Sequence, residues 1–538
     1  MPYTVEGIKV FQRDSPSPAL PHAQYSGLKP ETLVLPRGHR KDPSRKAFRA
    51  DTILERDIEV ITRNGHILRT DVYRPTETVS TEQVPVLLAW SPYGKCGTGV
   101  LRSNTACPIT QPCPSAVFVL FWHSYEGGRN GYDVIECLAK LPWCIGGISL
   151  VGNSWLAIAQ WFIAAERPPH LTCIAPLEGS SDIYRESLCR GGVPYKAFWG
   201  YLQDCLLVCL HKAEDIVGML DKYSFQNPYW ADKRADMTKI NIPAYVLASY
   251  STALHTVGFF RGFVEIPHDN KWQVLWPVLG FLQTEWYDLY SKERVEDLQL
   301  FFDRYLKGKK EQLGKDPCAR LSTLGFNKLS SLFISHSPYN RLINTPSSKE
   351  AALSYKSDVP DMQVDAQVEE LSFEYTFKER SYLIGFPRAV LYMSTKDSND
   401  MDVFVCLRKA DSMGNVLRNI NIPLKDLEMK ADEVPLVNSL VYIGPSGILR
   451  ASHRKIDQEK SKPHWPFHPH DEKQLLEPGQ IVKLKIGLWS AGIVFNAGEK
   501  LILRIAGHHM VSAEFEPLHG AFQTDNKGRH NVHVGPQY

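Results

Sequence analysis

Gly147-Ile148-Ser149-Leu150-Val151-Gly152-Asn153-Ser154-Trp155-Leu156 is the stretch that decides how this chain is read. Gly147 to Val151 is a short apolar run that reads as a buried strand. From Leu156 to Glu166 the period changes, with Ala157, Ile158, Trp161, Phe162 and Ala165 at helical spacing. A strand, a sharp turn with serine at its apex and then a helix make a nucleophile elbow. Serine is a weak nucleophile at neutral pH, so it needs exposure at the end of a sheet and a base within reach. It also needs N–H groups facing the developing oxyanion, and a helix N-terminus supplies them. The last glycine of the usual G-x-S-x-G pattern is Leu156 here, which predicts a slightly wider approach of helix to strand. The plainer alternative is a Ser154 that only caps the helix, since serine is a favoured N-cap.

The bulk of the chain sets the frame. Its 538 residues exceed one ordinary core, so two or three domains are expected. A hydrophobic share of 43% and an aromatic share of 11% belong to a globular protein. A net charge of +2 argues against a nucleic-acid partner. Met1 to Ser15 has no apolar signal-peptide core, and no run of about 18 apolar residues exists to span a membrane. Eleven cysteines, an odd number without C-x-x-C pairs or metal-type spacing, read as free thiols in a reducing compartment. A cytoplasmic protein with no metal or cofactor is the expectation.

Residues 1–50 are rich in Pro, Arg and Lys and read as an N-terminal arm. Ile58–Thr62 and Ile67–Tyr73 flank Asn64-Gly65, a hairpin signal. Val84–Trp90 reads as a buried strand, followed by the elbow and by a strand at Leu171–Leu177. Buried strands alternating with helices imply a mainly parallel sheet. From about Asp182 to Lys239 the pattern turns helical and aromatic without strand-like runs, which predicts a cap over the site. The sheet resumes at Ile242–Tyr250, and Val295–Lys307 is an amphipathic helix. Beyond about residue 350, short alternating segments between turn residues predict an all-β sandwich or jelly roll.

In this order the motifs resemble those of the CocE/NonD hydrolases, the cocaine-esterase and X-prolyl-dipeptidase-like group, over roughly residues 50–538. They include Arg69-Thr70-Asp71-Val72-Tyr73-Arg74-Pro75, Ser91-Pro92-Tyr93-Gly94-Lys95, Gly131-Tyr132-Asp133, Leu141-Pro142-Trp143 and the Ser154 elbow. Asp182-Ile183-Tyr184-Arg185, Phe301-Phe302-Asp303-Arg304-Tyr305 and Gly447-Ile448-Leu449-Arg450-Ala451-Ser452 follow. The resemblance implies an α/β-hydrolase domain at 51–345 with a helical cap near 182–239, and a jelly-roll domain at 346–538. It implies Ser154 as the nucleophile. It also implies an oxyanion hole shared by the Tyr93 hydroxyl and the Trp155 backbone N–H; a phenol keeps its proton up to about pH 10.

Three departures stand out. The family's acid falls on Thr252, which cannot hold a charge beside an imidazolium; Asp269 and Asp288 are the nearest aspartates downstream. The family's base should lie in the loop after the last sheet strand, yet no histidine occurs between Lys271 and Ser335. The apolar segment Trp272–Leu282 stands there as an insertion or replacement, which leaves His255 and His268 as candidate bases. Finally, the strand that relatives end in an Asp-x-Arg-Gly-like turn is not visible among Cys96 to Val119, and Gly535-Pro536-Gln537-Tyr538 falls where relatives continue into a closing strand.

The expected activity is that of a serine-dependent acyl hydrolase or acyltransferase acting on an ester or thioester. The text also resembles the fungal branch of the family that includes polyketide transferases. A small-molecule acyl substrate, an acyl-carrier domain and a second copy of the chain are the expected partners. With His255 as base, activity should fall below a pH near 6.5, the ordinary imidazole value. The rival expectation is a non-catalytic, hydrolase-like binding protein without a complete triad; a sugar-binding role for the β domain is a weaker third.

Overall fold

A computed structural model describes residues 3–16, 27–40, 47–76, 83–92, 119–120, 122–205, 212–250, 255–269, 271–276, 292–309, 319–321, 324–326, 350–359, 369–438, 440–463, 465–513, 518 and 522–538. The hairpin signal at Asn64-Gly65 is realised. Strands β1 (Thr52–Ile61) and β2 (Ile67–Pro75) pair antiparallel, with Gly65 at a φ of 76° in the turn. Thr32–Leu35 adds a third strand on β1.

The main sheet is parallel. Its members are β3 (Val84–Leu88), β4 (Cys144–Asn153), β5 (Leu171–Leu177), β6 (Ala244–Ser249), β7 (Lys271–Trp276) and β8 (Ala319–Leu321). Their spatial order is β8-β7-β6-β5-β4-β3. Helix α1 (Tyr125–Leu138) precedes β4, α2 (Trp155–Ala165) follows it, α3 (Thr256–Glu265) follows β6, and α4 (Lys292–Lys307) lies beyond β7. Every residue of α2 except Leu156 is buried, as expected of a helix that is apolar all round and packed on every side. Val134, Ile135, Leu150, Trp161, Phe162, Ile174 and Val246 share that core.

Several expectations are corrected here. Residues 1–50 do not form a free arm: Val10 is buried, and Gln12–Asp14 pairs with Lys212–Glu214, which also pairs with Val119–Leu120. The stretch 182–239 is therefore not purely helical. It holds a π-helical turn at Tyr184–Leu188 and helices at Ala197–Cys205, Ile216–Lys222 and Pro228–Asp232, besides that short strand and an antiparallel pair, Cys189–Arg190 with Val193–Pro194. Three residues are too few to show a period of two in sequence, and their partners come from far along the chain. Lys271–Trp276 is no insertion but sheet strand β7, in a six-residue parallel register with β6; residues 277–282 lie outside the described residues.

From Ala351 onward the chain forms two four-stranded antiparallel sheets. Met393, Val403, Leu484, Ile505 and Val532, drawn from both, make their common core. Arg529–Val534 sits between Ala351–Lys356 and Arg388–Thr395 in one of these sheets. Arg185 ties the two parts together. Its guanidinium donates to the carbonyls of His468 and Pro469 at 3.0 and 2.7 Å, and to Asp182 at 2.9 Å. Among the described residues no helix is long and apolar enough to cross a membrane, and no group of three metal-capable side chains is found.

Candidate active site

Ser154 sits between the end of β4 and the start of α2, partly exposed, at φ 55° and ψ −122°. An L-residue is strained in that region, and such strain is stored at functional turns. Its hydroxyl makes no capping hydrogen bond to α2, so the plainer N-cap reading has no support in the geometry. The Ser154 N–H donates to the Glu178 carbonyl at 2.5 Å, and the Glu178 N–H donates to the Leu247 carbonyl at 3.1 Å. These bonds lace together the ends of β4, β5 and β6, where Asn153, Leu177 and Leu247 are in register. Leu156 is accommodated because Gly152 has no side chain: a Cβ there would lie 2.6 Å from the Leu156 Cβ.

The strap after β5 holds the turn from the other side. A Cβ on Gly179 would meet the Ser154 carbonyl at 3.0 Å, and one on Gly258 of α3 would meet the Gly179 carbonyl at 2.7 Å. The strap is fixed by buried charge. Glu186 accepts from the Ser181 N–H and hydroxyl, at 2.6 and 2.8 Å, while Arg261 donates to the Ser181 carbonyl at 3.0 Å. Burial, with Asp182 adding, pushes the Glu186 carboxyl up to about 7. Against its own burial, Asp182 is held below the usual range by Arg185, Arg234 and Arg261. The Asp182–Arg185 motif thus serves the scaffold.

Topology sorts the two candidate bases. All six strands are parallel, so residues that follow strand ends share Ser154's edge of the sheet. His255 follows β6 and lies on that edge, two strands from β4, which is roughly 10 Å between strand axes. His268 and Asp269 precede β7 and lie at the opposite edge, roughly 20 Å away along a six-residue strand. That removes both from the site. His255 is 3% exposed, and burial pushes its imidazole down to about 3. The expected fall of activity near pH 6.5 is corrected accordingly: a base this depressed stays neutral to far lower pH. Tyr93, Thr252 and Asp288 lie outside the described residues. Tyr93 follows β3, whose end shares the elbow's edge.

One residue beside the elbow escaped the sequence reading. The His123 ring packs at 4.3 Å on the ring of Trp155, whose backbone N–H is the candidate oxyanion donor. His123 is buried, its Nε2 has no hydrogen-bond partner among the described residues, and burial, with the Lys233 charge adding, pushes it well below the ordinary imidazole value. Trp122, at 4.7 Å from Trp155, is anchored by Glu214, which accepts from its backbone N–H at 2.7 Å. Glu214 pairs in turn with Lys233 at 3.0 Å, and neither side chain is exposed. A lone histidine ahead of a helix carries no spacing signal, so only folding reveals its place.

Residues 119–215 match the family model of X-Pro dipeptidyl-peptidase (S15 family), and residues 328–538 match that of the X-Pro dipeptidyl-peptidase C-terminal non-catalytic domain. Each of these two stretches is thus similar to a domain of the X-Pro dipeptidyl-peptidases. The CocE/NonD resemblance and the serine-type esterase and peptidase character of the matched family are supported together. Among curated relatives, a cocaine esterase of Rhodococcus is 26% identical over 141 residues, 24% of each chain. A serine esterase of Mycobacterium bovis is 27% identical over 88 residues, 16% of this chain and 14% of that one. The chain thus matches no more than about a quarter of the length of these relatives. A solved CocE/NonD family hydrolase from Staphylococcus aureus superposes with a TM-score of 0.77 at 24% identity, covering 100% of this chain and 97% of that one. An α-amino acid ester hydrolase does so at 0.63 and 14% identity, over 92% and 97%. These likenesses show the fold: an α/β hydrolase with a C-terminal β domain.

Proposed function

We propose that this protein is a serine-dependent acyl hydrolase or acyltransferase that works through an acyl-enzyme on Ser154. The strained backbone of Ser154, with a hydroxyl that caps nothing, carries the reading. Ser154 Oγ attacks the carbonyl of an ester or thioester, and His255 takes the hydroxyl proton and returns it to the leaving group. The Trp155 N–H and the Tyr93 hydroxyl receive the oxyanion. Water or another acceptor then releases the acyl group. A polyketide chain handed over by an acyl-carrier domain in the cytoplasm fits this scheme, with two copies of the chain as a further expectation.

A second reading has its own observation. Burial pushes the imidazole of His255 down to about 3, which makes a feeble proton acceptor. A hydrolase-like binding protein without turnover would look the same. Fluorophosphonate labelling separates the two readings, because it requires an activated serine. Labelling that disappears in Ser154→Ala supports catalysis; an unlabelled, folded wild-type protein decides for binding alone.

A further inference from the structure

Trp155 opens α2, and its N–H is one of the first-turn donors that point out of a helix. The direction of that N–H is tied to the indole, which is buried and packed on two sides. The His123 ring lies 4.3 Å from it, and the Trp122 ring 4.7 Å at 35° between planes. Trp199, on the helix Ala197–Cys205, stands edge-on against Trp122 at 4.9 Å. Trp122 is itself fixed by polar bonds. Glu214 accepts from its backbone N–H at 2.7 Å through the carboxylate, and from its indole N–H at 3.0 Å through the backbone carbonyl. The Lys233 ammonium reaches both oxygens of that carboxylate, at 3.0 and 3.2 Å, and donates to the Trp122 carbonyl at 3.4 Å. Glu214 in turn pairs with Gln12 across two short antiparallel strands, so segments far apart in sequence converge on Trp122.

Stability alone does not call for this arrangement. Neither charged side chain is exposed, and a buried ion pair commonly gives no more stability than an apolar pair of like volume. What the ion pair supplies is direction: bonds to the backbone of Trp122 that an apolar pair could not make. We propose that Lys233 and Glu214 are positioning residues for the oxyanion hole. They set Trp122, and through the packed indoles Trp155, so that the Trp155 N–H points where negative charge develops during acyl transfer. The proposal rests on the acyl-enzyme reading and adds to it a part of the machinery that touches no substrate. Placement matters because a group misplaced by about 1 Å can cost on the order of 100-fold in rate.

The double variant Lys233→Met with Glu214→Leu keeps the buried volume and removes the directed bonds. Its kcat for a p-nitrophenyl ester should fall on the order of 10- to 100-fold, with KM within about twofold of wild type. Lys233→Met with Glu214→Gln retains a neutral oxygen for the Trp122 N–H and should regain most of that kcat. Far-ultraviolet circular dichroism reads the geometry without turnover. Packed indoles give an exciton couplet, identified here as the band lost in Trp122→Phe; the leucine variant should lose it and the glutamine variant keep it. Urea midpoints establish that each variant folds. If the leucine variant does not, Trp122→Phe replaces it, and its kcat must fall with KM unchanged. A leucine variant with wild-type kcat, or a glutamine variant no more active than the leucine one, overturns the proposal. So does a couplet that survives in the leucine variant; in a wild type that fluorophosphonate labels, either result leaves the acyl-enzyme reading standing. An unlabelled wild type overturns the acyl-enzyme reading itself, and the proposal with it.

Discussion

Replacing Ser154 by glycine should make the protein more stable while abolishing its reaction with fluorophosphonate. At φ 55° and ψ −122° Ser154 occupies a region that an L-residue enters at a cost of about 1–3 kcal/mol, whereas glycine enters it freely. Glycine also loses more conformational freedom on folding, about 0.5–1 kcal/mol against alanine. The difference leaves a net gain on the order of 1 kcal/mol. Ser154→Ala keeps the Cβ and therefore the strain, so its stability should stay close to wild type. The comparison of Gly with Ala isolates the backbone term, because both lack the hydroxyl. Urea unfolding followed by circular dichroism, together with probe labelling, reads both quantities. A Ser154→Gly protein less stable than Ser154→Ala would refute the argument, and would mean that the turn is imposed by its neighbours without stored strain.

Removing the buried ammonium with Lys233→Met strands the Glu214 carboxylate and should cost about 3–5 kcal/mol, read as a fall in the urea midpoint. Adding Glu214→Leu should recover much of that loss. Gly258→Ala drives a Cβ to 2.6 Å from the Ser181 N–H and 2.7 Å from the Gly179 carbonyl, backbone against backbone, and should cost about 1–3 kcal/mol. Burial holds His255 neutral in the folded state at about 3, while the unfolded chain takes up the proton below about 6.5. Stability is therefore lost as pH falls, by about 2 kcal/mol at about pH 5 from this residue alone, and a urea midpoint unchanged between about pH 7.5 and 5 would contradict it. If Tyr93 is the second oxyanion donor, Tyr93→Phe should lower kcat on the order of 100- to 1000-fold with little change in KM.

Four of the six sheet strands and the elbow itself were legible in the sequence because their signals are local. A continuous apolar run flanked by turn residues reads as a buried strand wherever it lies, and Gly152-Asn153-Ser154 marks the change of period. Pairings between distant segments carry no such signal. Gln12–Asp14 beside Lys212–Glu214 looked like a free arm beside a helical cap, because three-residue strands leave no pattern. Trp272–Trp276 reads as an insertion because it is almost wholly apolar, and only its register with β6 shows it to be sheet.

By itself, then, the sequence determined the strand–serine–helix turn at Ser154, the class of the fold and the break between a parallel α/β part and an antiparallel β part. All three follow from hydrophobic periodicity and turn chemistry, which act over a few residues. Tertiary structure decided which histidine shares an edge with Ser154. His255 and His268 are thirteen residues apart in sequence and equally plain as text, yet β6 and β7 run parallel and send one to each end of the sheet. It also decided that His123 lies against Trp155 and that Lys233 meets Glu214 out of water, since burial is a property of the whole packing and no residue announces it alone.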